Sequence, residues 1–254
     1  MNLPLGRRLA AETVGTALLV AVVVGSGIQA DRLSSDGGVE LLANALATVL
    51  GLGVLIALLG PVSGAHFNPV VSLAAWWHGR REPAGLALRE VAAYAGAQTG
   101  GAVAGALLAN AMFDLPVVDW STRERWAGHL WLAEAVATAG LILLIFGLAR
   151  TGRAQVAAPA VACYVGAAYW FTSSTSFANP AVTIGRAFTD TYAGITPASV
   201  GPFIAAQLLG CLIGVSLVAL LFPAIPDGAQ AATTALAAQP AAADAVAELE
   251  RSRP

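Results

Sequence analysis

The sequence predicts an all-α membrane protein with six transmembrane helices, two re-entrant half-helices and an inverted internal repeat. Three observations predict this fold class. First, 57% of the 254 residues are hydrophobic and only 11% are charged, whereas soluble domains carry about 25% charged residues. Second, six apolar stretches are long enough to cross a bilayer, which takes about 20 residues. Third, an Asn-Pro pair occurs in each half of the chain, at Asn68 and at Asn179.

The apolar stretches define the predicted elements in order. The first is interpreted as a retained span and not a signal peptide, because its apolar run is long and contains Glu12. The fifth is the shortest. Two further apolar segments, residues 68–77 and 179–188, are too short to span and are predicted to be half-helices. The six spans are predicted at residues 9–28, 39–59, 88–112, 130–149, 156–173 and 200–222.

The basic residues predict the orientation of the chain in the membrane. In a six-span arrangement, nine of the 13 basic residues, all arginines, fall on the side of both termini and four fall on the other side. Cytoplasmic segments are enriched in arginine and lysine. We therefore expect a multi-pass protein of the cell inner (plasma) membrane with both termini in the cytoplasm.

The chain is predicted to contain one channel domain, residues 1–226, followed by a tail, residues 227–254. The tail is rich in Ala, Gln, Thr and Pro and has too little apolar content to pack, so we expect a flexible cytoplasmic extension. Within the domain, repeat one is placed at residues 1–113 and repeat two at residues 127–226.

Three signatures that recur in the same order support the internal repeat. An Ala-Glu pair lies in spans one and four, an Asn-Pro pair follows, and an Ala-Gln pair with two glycines lies in spans three and six. Each half has three spans, an odd number, so the second copy enters the membrane upside down. The paired positions are Glu12 and Glu134, Asn68 and Asn179, Gln98 and Gln207, Gly101 and Gly210, and Gly105 and Gly214.

The two Asn-Pro segments predict the centre of a pore. Pro69 and Pro180 suit the first turn of a helix, and the asparagine before each suits the cap position. In an inverted repeat the two half-helices meet with their positively polarised N-termini near the midplane. Asn68 and Asn179 would then be hydrogen-bond donors for neutral molecules within a barrier to cations and protons.

These residues resemble those of the major intrinsic protein superfamily, the aquaporins and aquaglyceroporins. The resemblance covers roughly residues 9–222 and departs from the usual Asn-Pro-Ala at Val70, whereas Ala181 keeps it. It implies a homotetramer with one pore per subunit. It is carried by Glu12, Glu134, Gln98, Gln207, Ser63-Gly64-Ala65-His66-Phe67-Asn68-Pro69-Val70 and Phe177-Ala178-Asn179-Pro180-Ala181.

The resemblance also implies an outer constriction that usually contains an arginine three residues after the second motif asparagine. Val182 stands there instead. By spacing, the other constriction positions map to Thr48, Ala167 and Ser176, which gives a small, uncharged ring. We expect solutes larger than water to pass. The pattern is similar to a bacterial subgroup associated with arsenic resistance, whose solute As(OH)3 is close to glycerol in shape.

Four further residues receive roles. Glu12 and Glu134 are intramembrane carboxylates, and their matched placement predicts loop anchors and not a proton relay. His66 is predicted to anchor the first loop, with pH gating as the alternative. Arg186, one turn beyond Val182, is predicted to be a rim arginine paired with Asp190, and the alternative is a replacement for the missing pore charge.

The function predicted is a passive channel for small uncharged solutes such as glycerol-like polyols, As(OH)3 and water. The alternatives are a secondary transporter, a water-selective channel of the same fold and a structural protein with a closed pore. An enzyme is not expected, because no acid, base and nucleophile set falls at one depth. We expect no cofactor and no metal. The net charge of -2 gives no support for a nucleic-acid partner.

Overall fold

The computed structural model of the chain describes residues 3–80 and 85–222. Within these ranges it is all-helical, with eight α-helices and two short 3-10 turns. The predicted tail at residues 227–254 lies outside the described residues. The helices are α1 Leu5–Leu33, α2 Gly37–Ser63, α3 Pro69–Gly79, α4 Leu88–Met112, α5 Gly128–Arg150, α6 Ala157–Phe171, α7 Pro180–Gly185 and α8 Pro197–Leu221, and the 3-10 turns are Ala154–Val156 and Arg186–Phe188.

The two halves of the fold repeat the same packing. Helix α1 packs along α4, and its counterpart α5 packs along α8. The two halves meet where α2 packs on α6 and where α3 contacts α7. The half-helices α3 and α7 fill the space between these long helices. The predicted fold class of long helices and two half-helices is confirmed.

Glycines allow the long helices of each half to approach closely. A Cβ atom added to Gly101 of α4 would lie 2.3 Å from the carbonyl oxygen of Thr13 in α1. One added to Gly210 of α8 would lie 2.4 Å from the carbonyl oxygen of Ala135 in α5. A Cβ added to Gly105 or Gly214, one turn further on, would lie 2.1 or 2.7 Å from a carbonyl oxygen of the opposite helix. The repeated Gly-x-x-x-Gly pattern therefore lets the two long helices of each half pack backbone to backbone.

Length and hydropathy alone would identify fewer spans than the fold contains. Four of the described helices, α1, α2, α5 and α8, are long and apolar enough to cross a membrane. Helix α4 has 25 residues, but buried Gln98 and Asn110 and several glycines lower its hydropathy. Helix α6 has only 15 residues and is extended at its start by a 3-10 turn.

The half-helices differ in length. Helix α3 has 11 residues, close to the prediction for residues 68–77. Helix α7 has six residues and ends at Gly185, so residues 186–188 of the predicted half-helix form a 3-10 turn. Both helices start with proline and are capped by the asparagine before it, as the motif predicts.

Candidate functional site

A buried carboxylate holds the first re-entrant loop. Glu12 of α1 is fully buried. Its Oε1 accepts hydrogen bonds from the hydroxyl of Ser63 at 2.5 Å and the amide of His66 at 3.0 Å. Its Oε2 accepts from the amide of Phe67 and the side chain of Gln98, both at 2.7 Å. One carboxylate thus ties α1, α4 and the loop before α3 together.

The second re-entrant loop has the same arrangement. Glu134 of α5 accepts hydrogen bonds from the hydroxyl of Ser174 at 2.6 Å and the amide of Phe177 at 2.8 Å. It also accepts from the amide of Ala178 at 2.8 Å and the side chain of Gln207 at 2.7 Å. Every donor corresponds in sequence to a donor around Glu12, so the internal repeat extends to individual hydrogen bonds.

The two asparagines cap their own half-helices and bind the opposite loop. The side-chain oxygen of Asn68 accepts from the amide of Val70, and that of Asn179 accepts from the amides of Ala181 and Val182. The Nδ2 of Asn68 donates to the carbonyl of Ala178 at 2.8 Å, and the Nδ2 of Asn179 donates to the carbonyl of Phe67 at 2.7 Å. Because each amide nitrogen carries two hydrogens, one remains available at each asparagine.

The loops adopt backbone conformations that need this support. Of the four residues before each asparagine, three have positive φ, which residues other than glycine rarely adopt. The carboxylates accept amide hydrogens from the same segments. The paired positions are Gly64 and Thr175, Ala65 and Ser176, and Phe67 and Ala178.

A cavity of about 200 Å³ lies against the two half-helix N-termini. Both Asn68 and Asn179 line it, and so do three of the four predicted constriction residues, Thr48, Ser176 and Val182. His66 also lines it, and the ring Nδ1 of His66 lies 3.0 Å from the hydroxyl of Ser72. The remaining wall is mostly apolar and includes Leu19, Val23, Leu52, Ile56, Val71, Ala75, Leu141, Ile145, Phe146, Val161, Val165 and Tyr169.

The other motif residues lie behind the cavity. Pro69, Val70, Pro180 and Ala181 are absent from its wall. Val70 and Ala181 are almost fully buried at the helix contacts. The replacement of alanine by Val70 in the first motif therefore affects packing and does not change the cavity surface.

The structure corrects the placement of Ala167. Its side chain is exposed on the outer face of α6, away from the cavity. Tyr169 lines the cavity in its place, with its hydroxyl 3.2 Å from that of Thr48. This side of the predicted ring is therefore bulkier and more polar than the sequence suggested.

The predicted pairing of Arg186 with Asp190 is wrong. Asp190 accepts hydrogen bonds from the amide and hydroxyl of Thr122. Arg186 is 3% exposed, lines the cavity and donates through Nε to the carbonyl of Ala193. Its guanidinium carbon lies 3.4 Å from the ring centroid of Phe177. The structure thus favours the alternative, a positive charge at the cavity.

A second buried arginine was not anticipated. Arg125 lies in the loop between α4 and α5, and its guanidinium carbon is 4.9 Å from the ring centroid of Phe177. It donates to the carbonyl of Gly194 at 3.0 Å. Burial, and then the nearby charges of Arg186 and Arg123, lower the pKa of Arg125 to about 9. Its neighbours Arg123 and Glu124 are exposed, so nothing local in the sequence signals its burial.

The charged groups around the cavity are of one sign, positive. None of the described residues that line it is acidic, and Arg186 is the arginine among them. The N-terminal ends of α3 and α7 add partial positive charge at the centre. Within residues 3–80 and 85–222, no group of three or more His, Cys, Asp or Glu side chains could hold a metal ion. The arrangement can donate hydrogen bonds to a neutral solute and repel cations.

Comparisons with known proteins agree with this geometry. The sequence profile of the family described as Major intrinsic protein matches residues 2–176. Aquaglyceroporin AqpS of Rhizobium meliloti is 50% identical over 223 residues, which cover 87% of this chain and 93% of the relative. Probable aquaporin AqpM of Archaeoglobus fulgidus is 29% identical over 248 residues, covering 87% and 98% of the two chains.

A solved structure shares the fold. The aquaglyceroporin from Plasmodium falciparum superposes with a TM-score of 0.66 at 17% identity, covering 85% of this chain and 96% of the other. At this identity the likeness concerns the fold alone. The profile match and the 50% identical relative show that the chain belongs to the major intrinsic protein family, the membrane channels that include aquaporins and aquaglyceroporins.

Proposed function

We propose that the protein is a passive channel for small uncharged solutes, namely glycerol-like polyols, As(OH)3 and water. The observation that carries the proposal is Val182, which lines the cavity three residues after Asn179. An arginine is usual at that position in the resembling family. Its replacement by a short apolar side chain leaves a wider opening at this point.

Other cavity residues support a solute larger than water. Thr48 and Ser176 are small and polar, and both line the cavity beside Val182. Apolar side chains make up most of the remaining wall, and they suit the carbon backbone of a polyol. The name of the 50% identical relative, aquaglyceroporin, agrees with this solute class. As(OH)3 fits the same chemistry, because it is neutral at physiological pH and similar to glycerol in shape.

Assembly and orientation form part of the proposal. The family resemblance supports a homotetramer with one pore per subunit. Outward-facing leucines along α2 and α8 offer apolar surface for neighbouring subunits or lipid. The arginine distribution supports an inner-membrane protein with both termini in the cytoplasm.

A water-selective channel of the same fold is the second candidate. Two observations favour it: Tyr169 takes the place expected for Ala167, and the Arg186 guanidinium reaches the cavity. Both reduce the opening that Val182 creates. The two candidates differ in one measurable property, the permeability to glycerol relative to water.

Stopped-flow measurements on proteoliposomes test the proposal. We expect glycerol and As(OH)3 flux that is non-saturable, has a low activation energy and needs no ion gradient. Water flux without glycerol flux would establish the second candidate. Saturable flux that requires an ion gradient would instead indicate a transporter. Swelling no faster than that of protein-free vesicles would show that the pore is closed.

The substitution Val182→Arg tests the filter directly. A guanidinium at this position is expected to reduce glycerol and As(OH)3 flux about tenfold or more while sparing water, because it fills the opening and adds a fixed charge. The matched control is Val71→Arg at the corresponding position of repeat one, which should impair water and glycerol flux together. Unchanged glycerol flux in Val182→Arg would contradict the placement of Val182 in the narrow part of the pore.

A further inference from the structure

The guanidinium of Arg186 has donors that the protein does not use. Its Nε donates to the carbonyl of Ala193, and its guanidinium carbon lies 3.4 Å from the centroid of the Phe177 ring. Neither terminal nitrogen donates a hydrogen bond to any residue in the described part of the chain. Because Arg186 is 3% exposed and lines the cavity, we infer that these donors serve the pore and not bulk water.

A second unused polar group lies beside the same cavity. The hydroxyl of Ser176 is buried and has no hydrogen-bond partner among the described residues. Buried polar groups are normally hydrogen-bonded, and an unpaired one has a cost of about 1–3 kcal/mol. Ser176 and Arg186 both line the cavity, so the unpaired hydroxyl and the unused guanidinium donors lie on one stretch of its wall.

The internal repeat supports the lumenal position of Arg186. By the correspondence of Asn68 with Asn179, Val182 and Arg186 match Val71 and Ala75 of repeat one. All four residues line the cavity. Positions 71 and 75 lie one turn apart on α3, so the same face of both half-helical segments meets the pore. Repeat two therefore presents a guanidinium where repeat one presents a methyl group.

No carboxylate of the described residues forms a salt bridge with this charge, and the buried Glu134, which attracts it, accepts hydrogen bonds from four donors of its own. None of the described lining residues is acidic, and the second arginine near Phe177, Arg125, has the same sign. A buried guanidinium in such a place gains most from oxygen acceptors that enter the pore. The hydroxyls of Thr48 and Tyr169 line the same cavity and add further polar groups.

We propose that Arg186 and Ser176 form a hydroxyl-binding site in the pore that favours polyhydroxylated solutes over less hydroxylated solutes of equal length. The inference rests on the proposed function and makes it more specific, since it assigns the selection to a residue one turn beyond Val182. Each additional hydroxyl of a solute must give up its hydrogen bonds to water when the solute enters the narrow pore. Arg186 and Ser176 replace that water with their own hydrogen bonds.

The test compares glycerol with 1,3-propanediol, which has the same carbon chain and lacks the central hydroxyl. The quantity measured is the ratio of their channel-mediated permeabilities in proteoliposomes, after subtraction of protein-free vesicles. Arg186→Met keeps the side-chain length and removes every donor. We expect the ratio to fall about tenfold, the loss of about one hydrogen bond from a charged group.

Three further variants make the test specific. Arg186→Lys keeps the positive charge but loses the planar arrangement of N–H donors that a guanidinium provides. The ratio should therefore fall to a value between those of the wild type and Arg186→Met. Ser176→Ala should lower the ratio about threefold. Arg123→Met removes an exposed arginine from the same loop region as Arg125, and it should leave the ratio unchanged.

A wild-type ratio in an Arg186→Met channel that still conducts 1,3-propanediol would overturn the inference. If Arg186→Met does not insert, Ser176→Ala decides, because its hydroxyl has no partner to lose: a lowered ratio supports the site and an unchanged ratio overturns it. The proposed function fails separately, when the wild-type protein conducts water and neither diol nor glycerol.

Discussion

At the scale of single residues, the two buried glutamates accept more hydrogen bonds than any other side chain of the described structure. Each carboxylate accepts four hydrogen bonds, from one hydroxyl, two backbone amides and one glutamine. Full use of the acceptor oxygens stabilises an ionised carboxylate in an apolar interior. With every lone pair used by these donors, and with neither side chain lining the cavity, the glutamates are not placed to relay protons along it.

Glu134→Gln is expected to destabilise the protein strongly. The new amide places hydrogens opposite the donors of Ala178 and Gln207, so at least two hydrogen bonds are lost and buried donors remain unpaired. The expected loss is about 3 kcal/mol of unfolding free energy, a fall of about 10 °C in midpoint temperature. Thermal unfolding of the purified protein in detergent measures it.

The control for this substitution is Glu124→Gln. Glu124 is exposed in the loop before α5 and undergoes the same change of charge. Its midpoint temperature should match that of the wild type. Equal midpoints for Glu134→Gln and the wild type would show that the hydrogen bonds around Glu134 do not hold the second loop.

Single residues also show which features of the site could be predicted from the sequence and which could not. The glutamates, asparagines and glutamines could be paired from the repeat, because each occurs at the same point of a duplicated pattern. Ala167 was misplaced because its position was counted across the loop before Asn179 without gaps. A shift of two residues turns a helical side chain by about 200°, which is enough to exchange exposed Ala167 for Tyr169 at the cavity.

Arg186 was misassigned for a different reason. Arg186 and Asp190 are four residues apart, a spacing at which opposite charges meet only if the chain between them is helical. Helix α7 instead ends at Gly185, and the chain tightens into a 3-10 turn. The following loop then carries Asp190 to Thr122, across 68 residues of sequence. Such long-range contacts have no signature in the local pattern.

At the scale of helices, close contact between α1 and α4 depends on the small residues of α4. Gly101→Ala is expected to force the two helices apart, because the added Cβ would lie 2.3 Å from the backbone oxygen of Thr13. Backbone atoms cannot rotate away as a side chain can. We expect a loss of about 1–3 kcal/mol in stability, measured as a lower midpoint in denaturant.

The adjacent glycine provides a matched control. Gly100 lies on the same helix, and a Cβ added there would meet nothing within 4 Å. Gly100→Ala should therefore be neutral or raise stability by up to about 1 kcal/mol, since alanine restricts the unfolded chain and favours the helix. Similar destabilisation by both substitutions would mean that helix contact does not depend on the position of the glycine.

At the scale of the whole molecule, the two repeats are joined at their centre by reciprocal hydrogen bonds. Asn68 donates to the loop of repeat two and Asn179 donates to the loop of repeat one. This exchange fixes both half-helix N-termini at the same point of the cavity. Their partial charges, about half a unit each, add up there to about one positive charge.

The combined positive charge of the two helix N-termini predicts what happens when a carboxylate is introduced beside them: the exclusion of cations should weaken. Asn179→Asp keeps a capping oxygen for the amides of Ala181 and Val182. It adds a unit of negative charge that cancels the two helix ends. We expect sodium permeability, measured by a fluorescent indicator inside proteoliposomes, to rise about tenfold or more. Arg186 still contributes positive charge, so the double variant with Asn68→Asp should conduct sodium faster than either single variant.

The neutral control separates charge from the loss of the central hydrogen bond. Asn179→Ser also keeps a capping oxygen and also loses the donation to Phe67, but it adds no charge. It should therefore exclude sodium as the wild type does. If Asn179→Ser leaked as much as Asn179→Asp, exclusion would depend on the tight junction between the loops. If the aspartate variants conducted water and still excluded sodium, the helix ends would not be the source of the barrier.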